Sequence, residues 1–357
     1  MLVTVTGGTG LVGSHTVGEL LRGGHQVRLL VRNEAAVEPA LQPLGIDPGR
    51  VEVVVGDVTD AASVRRAVRG AEGVVHAASV FSFNSRDHGT MRKVNELGTD
   101  TVLEAARAAG AGRIVYVSSI VALMPSRRRP LTADSPVGKS RETYFASKAA
   151  AEVVARRHQD AGAPITITYP PALLGPNDPH LGDQTTRLRN VLRGLMPMWP
   201  LGGFPVGDVR DTAALHAAAL DSPEAAGSGR YFGPGRYLTT RDYVRTLREV
   251  TGRALPTIYL PASAMLPVGL TVGLAQRVWP FHIPAEYGAI YICYCATRVE
   301  EAACTPLGIQ PRPVTDTMAD TVRWLHGKGL LSDRQAGSLA GQPAAAAGQG
   351  DAPVRSG

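Results

Sequence analysis

Short runs of β-branched and other apolar residues punctuate the first half of the chain: Leu2 to Val5, Gln26 to Val31, Val51 to Val55, Gly73 to His76, Arg113 to Val117 and Ile165 to Tyr169. Between them, apolar residues recur every three to four positions, from Leu11 to Leu21, Ala61 to Val68, Met91 to Ala109 and Glu142 to His158. The first pattern suits strands buried on both faces, and the second suits helices with one apolar side. Their alternation predicts a doubly wound α/β fold, in which a parallel sheet carries helices on both faces. Right-handed crossovers make the strand order 3-2-1-4-5-6 the default.

After Pro170 the texture changes. The stretches "PPALLGPNDPH" and "RGLMPMWPLGGFP" are rich in proline and glycine, and helical periodicity returns at Thr185 to Arg193, Asp211 to Leu220, Arg241 to Thr251 and Ser263 to Val278. Residues 1–170 therefore read as the sheet domain, and 171–330 as a smaller C-terminal domain better suited to shaping a substrate pocket than to extending a sheet. Residues 331–357 have little to bury and read as a disordered tail.

The turn after the first strand, "TGGTGLVGSH", is the first sign of chemistry. Gly8, Gly10 and Gly13 fit G-x-G-x-x-G, whose glycines permit a tight turn, close approach of backbone to a pyrophosphate, and close helix–strand packing. The following helix offers its amide donors and positive end to phosphate. Gly7, Gly8, Thr9, Gly10, Leu11, Val12 and Gly13 are thus candidate dinucleotide-binding residues. About twenty positions on, at the end of the second strand, an acid would bond the 2′-hydroxyl of NAD; this chain has Arg32. A guanidinium suits a 2′-phosphate, so NADP(H) is favoured, with NAD(H) as the alternative. Asp57 and Val58, in "GDVTD", follow the third strand where the chain passes the adenine. Asp57 could equally serve the start of the helix beginning near Asp60.

Composition narrows the classes. The chain has 357 residues, 44% hydrophobic and 19% charged, with a net charge of +6. Its arginines are spread along the sequence, which favours solvated faces over a nucleic-acid partner. No apolar run is long enough for a bilayer and no leader-like segment precedes the first strand, so a cytoplasmic location is expected. Cys293 and Cys295 form C-x-C, read here as one face of a strand. With Cys304 they make three cysteines, short of a zinc set, and are expected to be small buried hydrophobes; no metal is expected.

The fifth strand ends in "VYVSS", with Ser118 and Ser119, and "YFASK" follows. Tyr144 and Lys148 stand four apart on a helix and so project from one face. An ammonium beside a tyrosine lowers its pKa, and a serine at the strand's carboxyl end can hold a substrate oxygen in the crevice where such sheets bind ligands.

Taken together, "TGGTGLVGSH", "GDVTD", "HAAS", "VNELGT", "VYVSS", "YFASK", "YPPALLGP" and "VGDVRDTAALHAAAL" resemble the extended short-chain dehydrogenases/reductases of the NAD-dependent epimerase/dehydratase type, above all dihydroflavonol 4-reductases. The resemblance implies that the segment near 206–233 returns to the sheet domain, that Ala77, Ala78 and Pro170 line the cofactor, and that Ser119 polarises the substrate carbonyl. It implies Tyr144 as general acid or base and Lys148 as the holder of the nicotinamide ribose. Asn95 would support the lysine through helix backbone and water, or act as an ordinary buried capping residue. A homodimer through the helices of 91–109 and 142–158 is also implied. Two departures, Tyr169 before Pro170 in place of arginine and Ala172 in place of asparagine, weaken a nucleotide-sugar substrate.

The expected function is therefore NADPH-dependent reduction of a ketone or aldehyde on a mostly apolar small molecule. Phe81, Phe83, Met196, Met198, Trp199 and Phe204 are the candidate substrate contacts, with core packing as their alternative role. The rival functions are a nucleotide-sugar epimerase or dehydratase holding NAD tightly, and a non-catalytic NAD(P)-binding sensor.

Overall fold

The computed structural model describes residues 1–80, 88–126, 130–222, 229–278, 287–300 and 305–343. The first half runs β1 (Leu2–Thr6), α1 (Leu11–Arg22), β2 (Gln26–Val31), α2 (Val37–Leu41), β3 (Val51–Val55), α3 (Ala61–Val68), β4 (Gly73–His76), α4 (His88–Arg92), α5 (Gly98–Ala108), β5 (Arg113–Val117), α6 (Thr143–Asp160) and β6 (Ile165–Tyr169). The second half runs β7 (Ala172–Leu174), α7 (Asp183–Leu192), β8 (Met198–Leu201), β9 (Gly203–Asp208), α8 (Val209–Asp221), β10 (Arg230–Phe232), β11 (Arg236–Thr239), α9 (Thr240–Thr251), β12 (Ile258–Pro261), α10 (Ala262–Val278), α11 (Tyr287–Cys295), α12 (Val314–Gly327) and α13 (Asp333–Ala336).

Seven parallel strands form the central sheet in the order β10-β6-β5-β4-β1-β2-β3. The expected 3-2-1-4-5-6 order holds, and β10 extends it by one. One face packs under α1 and α8 through Val17, Leu20, Leu29, Val75, Val115 and Leu220; the other packs under α3, α5 and α6 through Val64, Val102, Leu103, Ile114 and Phe145. With both faces covered, even the threonines of β1 are buried, and each uses its hydroxyl: Thr4 donates to the Ala67 carbonyl at 2.8 Å, and Thr6 meets His76 at 2.7 Å.

A second buried histidine joins α8 to α1 and β6. The Thr16 hydroxyl donates to Val12 O at 2.9 Å, so it accepts from His216 Nδ1 at 2.9 Å; Nε2 is left to accept from Thr168 at 3.1 Å. Burial pushes the His216 pKa down to about 3, which keeps the ring neutral and suited to one donor and one acceptor contact.

Beyond Pro170 the chain builds two small sheets, β11-β9-β7 and β12-β8. Their core gathers Trp199, Phe204, Tyr243, Leu247 and Met318 between α7, α9 and α12. Ion pairs tie α8 to the segment that follows: Arg210 pairs with Asp208 at 2.7 Å and Asp320 at 2.8 Å, and Arg312 pairs with Asp211. Among the described residues no helix is long and apolar enough to cross a membrane.

Two expectations need correction. Cys293 and Cys295 lie on α11 and not on a strand, so a two-residue spacing turns them to different sides; both are buried, and Cys304 lies outside the described residues. A short apolar run does not distinguish a buried helix from a strand.

The expected disordered tail also fails for residues 331–343. Ser332 and Gln335 form a capping box that starts α13, and Leu331, Ala336 and Leu339 join the second core. Ser338 Oγ donates to Val250 O at 3.0 Å. Low overall apolar content conceals three well-placed apolar side chains. Leu339→Ala should therefore lower stability by about 2–3 kcal/mol, and truncation before Ser332 should lower the melting temperature further. Unchanged thermal unfolding of both variants would show that this segment does not dock.

Candidate active site

The glycine turn is shaped by steric exclusion. Gly7 adopts φ +75°, and the Gly10 amide donates to the Gly7 carbonyl at 3.0 Å. A Cβ on Gly13 would stand 2.0 Å from that same carbonyl oxygen, so only glycine lets α1 start this close to β1. Gly8 packs against Leu29, where a Cβ would come within 2.7 Å of the side chain.

The neighbouring strand end is held by a relay that the sequence reading missed. Thr99 donates to Asn95 O at 2.6 Å and so accepts from His76 Nε2 at 3.1 Å; His76 Nδ1 then accepts from Thr6, whose oxygen receives the Ala78 amide at 3.3 Å. Burial, with the Lys148 charge adding to it, lowers the His76 pKa to about 3. The neutral ring thereby fixes the ends of β1 and β4 side by side.

Between these strand ends lies a cavity of about 220 Å³, lined by Gly7, Thr9, Gly10, Arg32, Asp57, Val58, Ala77 and Ala78. Asp60, not Asp57, caps α3 through the amides of Ala62 and Ser63. Asp57 instead accepts from the Thr59 amide and hydroxyl, both at 2.8 Å. Partial burial works to raise its pKa, but the Thr59 bonds and the charges of Arg32 and Lys93 outweigh it and hold the carboxyl below its usual range.

A second cavity, of about 280 Å³, meets the first at Ala77 and Ser79 and is lined by Leu11, Val12, Ser119, Tyr144, Lys148 and Pro170. Ser119 ends the β5 run and accepts from the Val121 amide at 3.4 Å. Tyr144 and Lys148 are nearly buried, and the Tyr144 hydroxyl is hydrogen-bonded to Ser119. Burial raises the Tyr144 pKa, opposed by the Ser119 bond. The lowering expected from Lys148 is not what this protein shows, because desolvation of the phenol dominates. Lys148 is pushed down to about 8 by burial, with Glu152 opposing the shift.

Glu152 sits one turn beyond Lys148 and is fully buried. Its Oε1 accepts from Arg156 Nε and from the Tyr169 hydroxyl, each at 2.7 Å, and Arg156 Nη2 donates to Tyr169 at 3.1 Å. Tyr169, noted above as standing in place of an arginine, thus shares a buried carboxylate with a guanidinium supplied by the helix.

Asn95 lies in a widened π turn, Lys93–Leu97, ahead of α5. Its Oδ1 accepts from the Val80 amide at 2.8 Å and Ser79 Oγ at 3.0 Å, while Nδ2 donates to Val80 O at 3.0 Å and Ser147 Oγ at 3.2 Å. It therefore clamps the segment after β4 to the turn of α6 that lies between Tyr144 and Lys148, and it caps nothing.

The far wall of this second cavity comes from Pro171, Leu173, Asp178, Asp183, Gln184, Arg187, Pro205 and Ile292. Four of the expected substrate contacts do not line this cleft. Met196, Met198 and Trp199 line a separate cavity of about 130 Å³; Phe204 is core, 1% exposed, against Tyr243 and beneath Arg187. Phe81 and Phe83 lie outside the described residues.

The glycine turn and the two joined cavities have the shape and donors for a dinucleotide laid across the sheet's carboxyl edge. Residues 3–233 match the model of the NAD-dependent epimerase/dehydratase family. The chain is 28% identical to Sterol demethylase protein B of Methylococcus capsulatus over 93% of its length and 100% of that protein's. It is 30% identical to a Putative dihydroflavonol 4-reductase of Synechocystis sp., covering 92% of this chain and 95% of the relative. The solved structure of gox2253 superposes with a TM-score of 0.76 at 28% identity, over 93% of this chain and 99% of that one. On the family match and the shared fold, the chain belongs to the NAD-dependent epimerase/dehydratase family, among the extended short-chain dehydrogenases/reductases.

Proposed function

We propose that the protein reduces a ketone or aldehyde on a mostly apolar small molecule, with NADPH as its cofactor. The observation that carries this reading is the hydrogen-bonded Ser119–Tyr144 pair beside Lys148, set in a cleft whose wall includes Pro171, Leu173, Pro205 and Ile292. The relatives named as reductases support the direction of the chemistry.

Gly7–Gly13 would hold the cofactor's pyrophosphate and Pro170 would flank its nicotinamide, which when bound would supply the hydride. Ser119 holds the carbonyl oxygen. Tyr144, whose pKa burial keeps high, remains an O–H donor until charge builds on that oxygen, and it then passes its proton across. Lys148 faces the same cleft with an ammonium that can take a ribose hydroxyl and stabilise the phenolate left behind. Arg32 and Asp57 lie together at the other end of the groove, where the adenosine would sit.

Three outcomes test the reading. Arg32→Asp should cut the preference for NADPH over NADH by about ten- to a hundred-fold, the worth of one charge-assisted contact; an unchanged ratio of dissociation constants would refute the assignment.

Tyr144→Phe keeps the ring but removes the proton, and should slow the chemical step by about 10²- to 10⁴-fold with NADPH binding nearly unchanged. With 4-deuterated NADPH, the parent enzyme should deliver label into the isolated alcohol. Turnover with unlabelled product, from protein that retains NAD, is what an epimerase would give.

The third outcome concerns pH. The Lys148 ammonium, with its pKa lowered to about 8, is present below that pH and lost above it, so kcat/KM should fall on the alkaline side of about pH 8. Glu152 holds the proton on, so Glu152→Gln should move that alkaline limb to lower pH. A limb that stays in place would show that Glu152 acts only in packing.

A further inference from the structure

Arg187 stands out among the buried cations. Arg156 and Arg210 each meet a carboxylate at 2.7 Å. Arg187, on α7, is 9% exposed, yet among the described residues no carboxylate lies within the 4.0 Å of an ion pair. Its bonded neighbour is the Gln184 side-chain oxygen at 3.3 Å, and its guanidinium carbon lies 5.6 Å above the Phe204 ring. Of the two acids of the same cleft, Asp178 is taken by the amides of His180 and Gly182 and by the Thr185 hydroxyl, and Asp183 stands four residues earlier on the same helix.

A buried guanidinium without a counter-charge is unfavourable, and a ring face compensates for only part of the lost hydration. Such a group is retained where a ligand completes it. Arg187 lines both the cleft that holds Tyr144 and the separate cavity of Met196, Met198 and Trp199, so a substrate lying in the cleft reaches it at the junction. Its planar fork matches a carboxylate in two-pronged fashion, whereas a ketone or ester offers no charge.

We infer that the substrate is an oxo acid: an otherwise apolar carbonyl compound whose carboxylate pairs with Arg187 while its carbonyl meets Ser119 and Tyr144. This inference rests on the carbonyl-reductase reading for the second contact only. The first is a binding site in its own right.

The test uses 3-benzoylpropionate, 4-benzoylbutyrate and 5-benzoylvalerate, each beside its methyl ester, with the full-length protein. Two quantities are read: NADPH oxidation, and the rise in melting temperature on adding each probe to the NADPH-saturated protein. At least one acid should exceed its ester in kcat/KM by about ten- to a hundred-fold, and Arg187→Gln should bring that ratio close to one, mainly through KM. Arg187→Lys, which keeps the charge without the fork, should fall between. Melting of the unliganded Arg187→Gln protein should match or exceed that of the parent, because the substitution removes a buried unpaired charge. If no probe is reduced but the acids alone give saturable stabilisation that Arg187→Gln abolishes, the anion site stands and the reductase reading falls. Equal behaviour of acids and esters in the parent, or an acid preference that survives Arg187→Gln, overturns the inference. A lower melting temperature with no change in preference assigns Arg187 to packing and overturns it as well.

Discussion

The contact between Gly13 and the carbonyl oxygen of Gly7 governs the geometry of the site. Because a Cβ there would approach to 2.0 Å, α1 can begin directly against the end of β1, with its amide donors facing the crevice. The Thr6–His76–Thr99 relay then sets the end of β4 at a matching height, and the two joined cavities follow from those placements. A side chain at Gly13 would drive α1 away from β1, and one at Gly7 would collide with the backbone of Ala77 and Ala78 after β4.

Electrostatics in the interior divides along a simple line. His76 and His216 are buried neutral, each with one donor and one acceptor contact. Charged groups are buried in company: Glu152 with Arg156 and Tyr169, Asp208 with Arg210, and Asp211 with Arg312. Against that background Lys148 and Arg187 differ. Both are buried, both face the cleft, and neither has a carboxylate within ion-pair distance among the described residues. Protein interiors rarely leave cations in that condition unless something else arrives to meet them.

The strands, their order and the glycine turn were legible because they rest on local patterns: β-branched runs, glycine spacing, and a tyrosine and lysine four apart. Contacts between residues distant in sequence were not. Asn95 carries no local mark of its link to Ser147, and nothing around Arg187 announces that it lacks an acid. Trp199 and Phe204 mislead for a related reason, since an apolar residue in a proline-rich segment looks the same whether it faces a cleft or a core. The tail was misread by averaging: its composition is that of an unfolded segment, whereas Leu331, Ala336 and Leu339 are enough to dock it.

That docking has a consequence for the order in which the molecule can be made. The parallel sheet is complete once Phe232 has been synthesised, so the nucleotide-binding half can settle while the chain is still growing. The second core cannot, because Met318, Leu325, Leu331 and Leu339 close it around Trp199 and Tyr243. Until Arg312 and Thr317 emerge, Asp211 and Asp208 at the start of α8 lack those partners. The cleft beside Tyr144 and Lys148, whose two walls come from opposite sides of that junction, is therefore among the last parts of the protein to acquire its shape during translation.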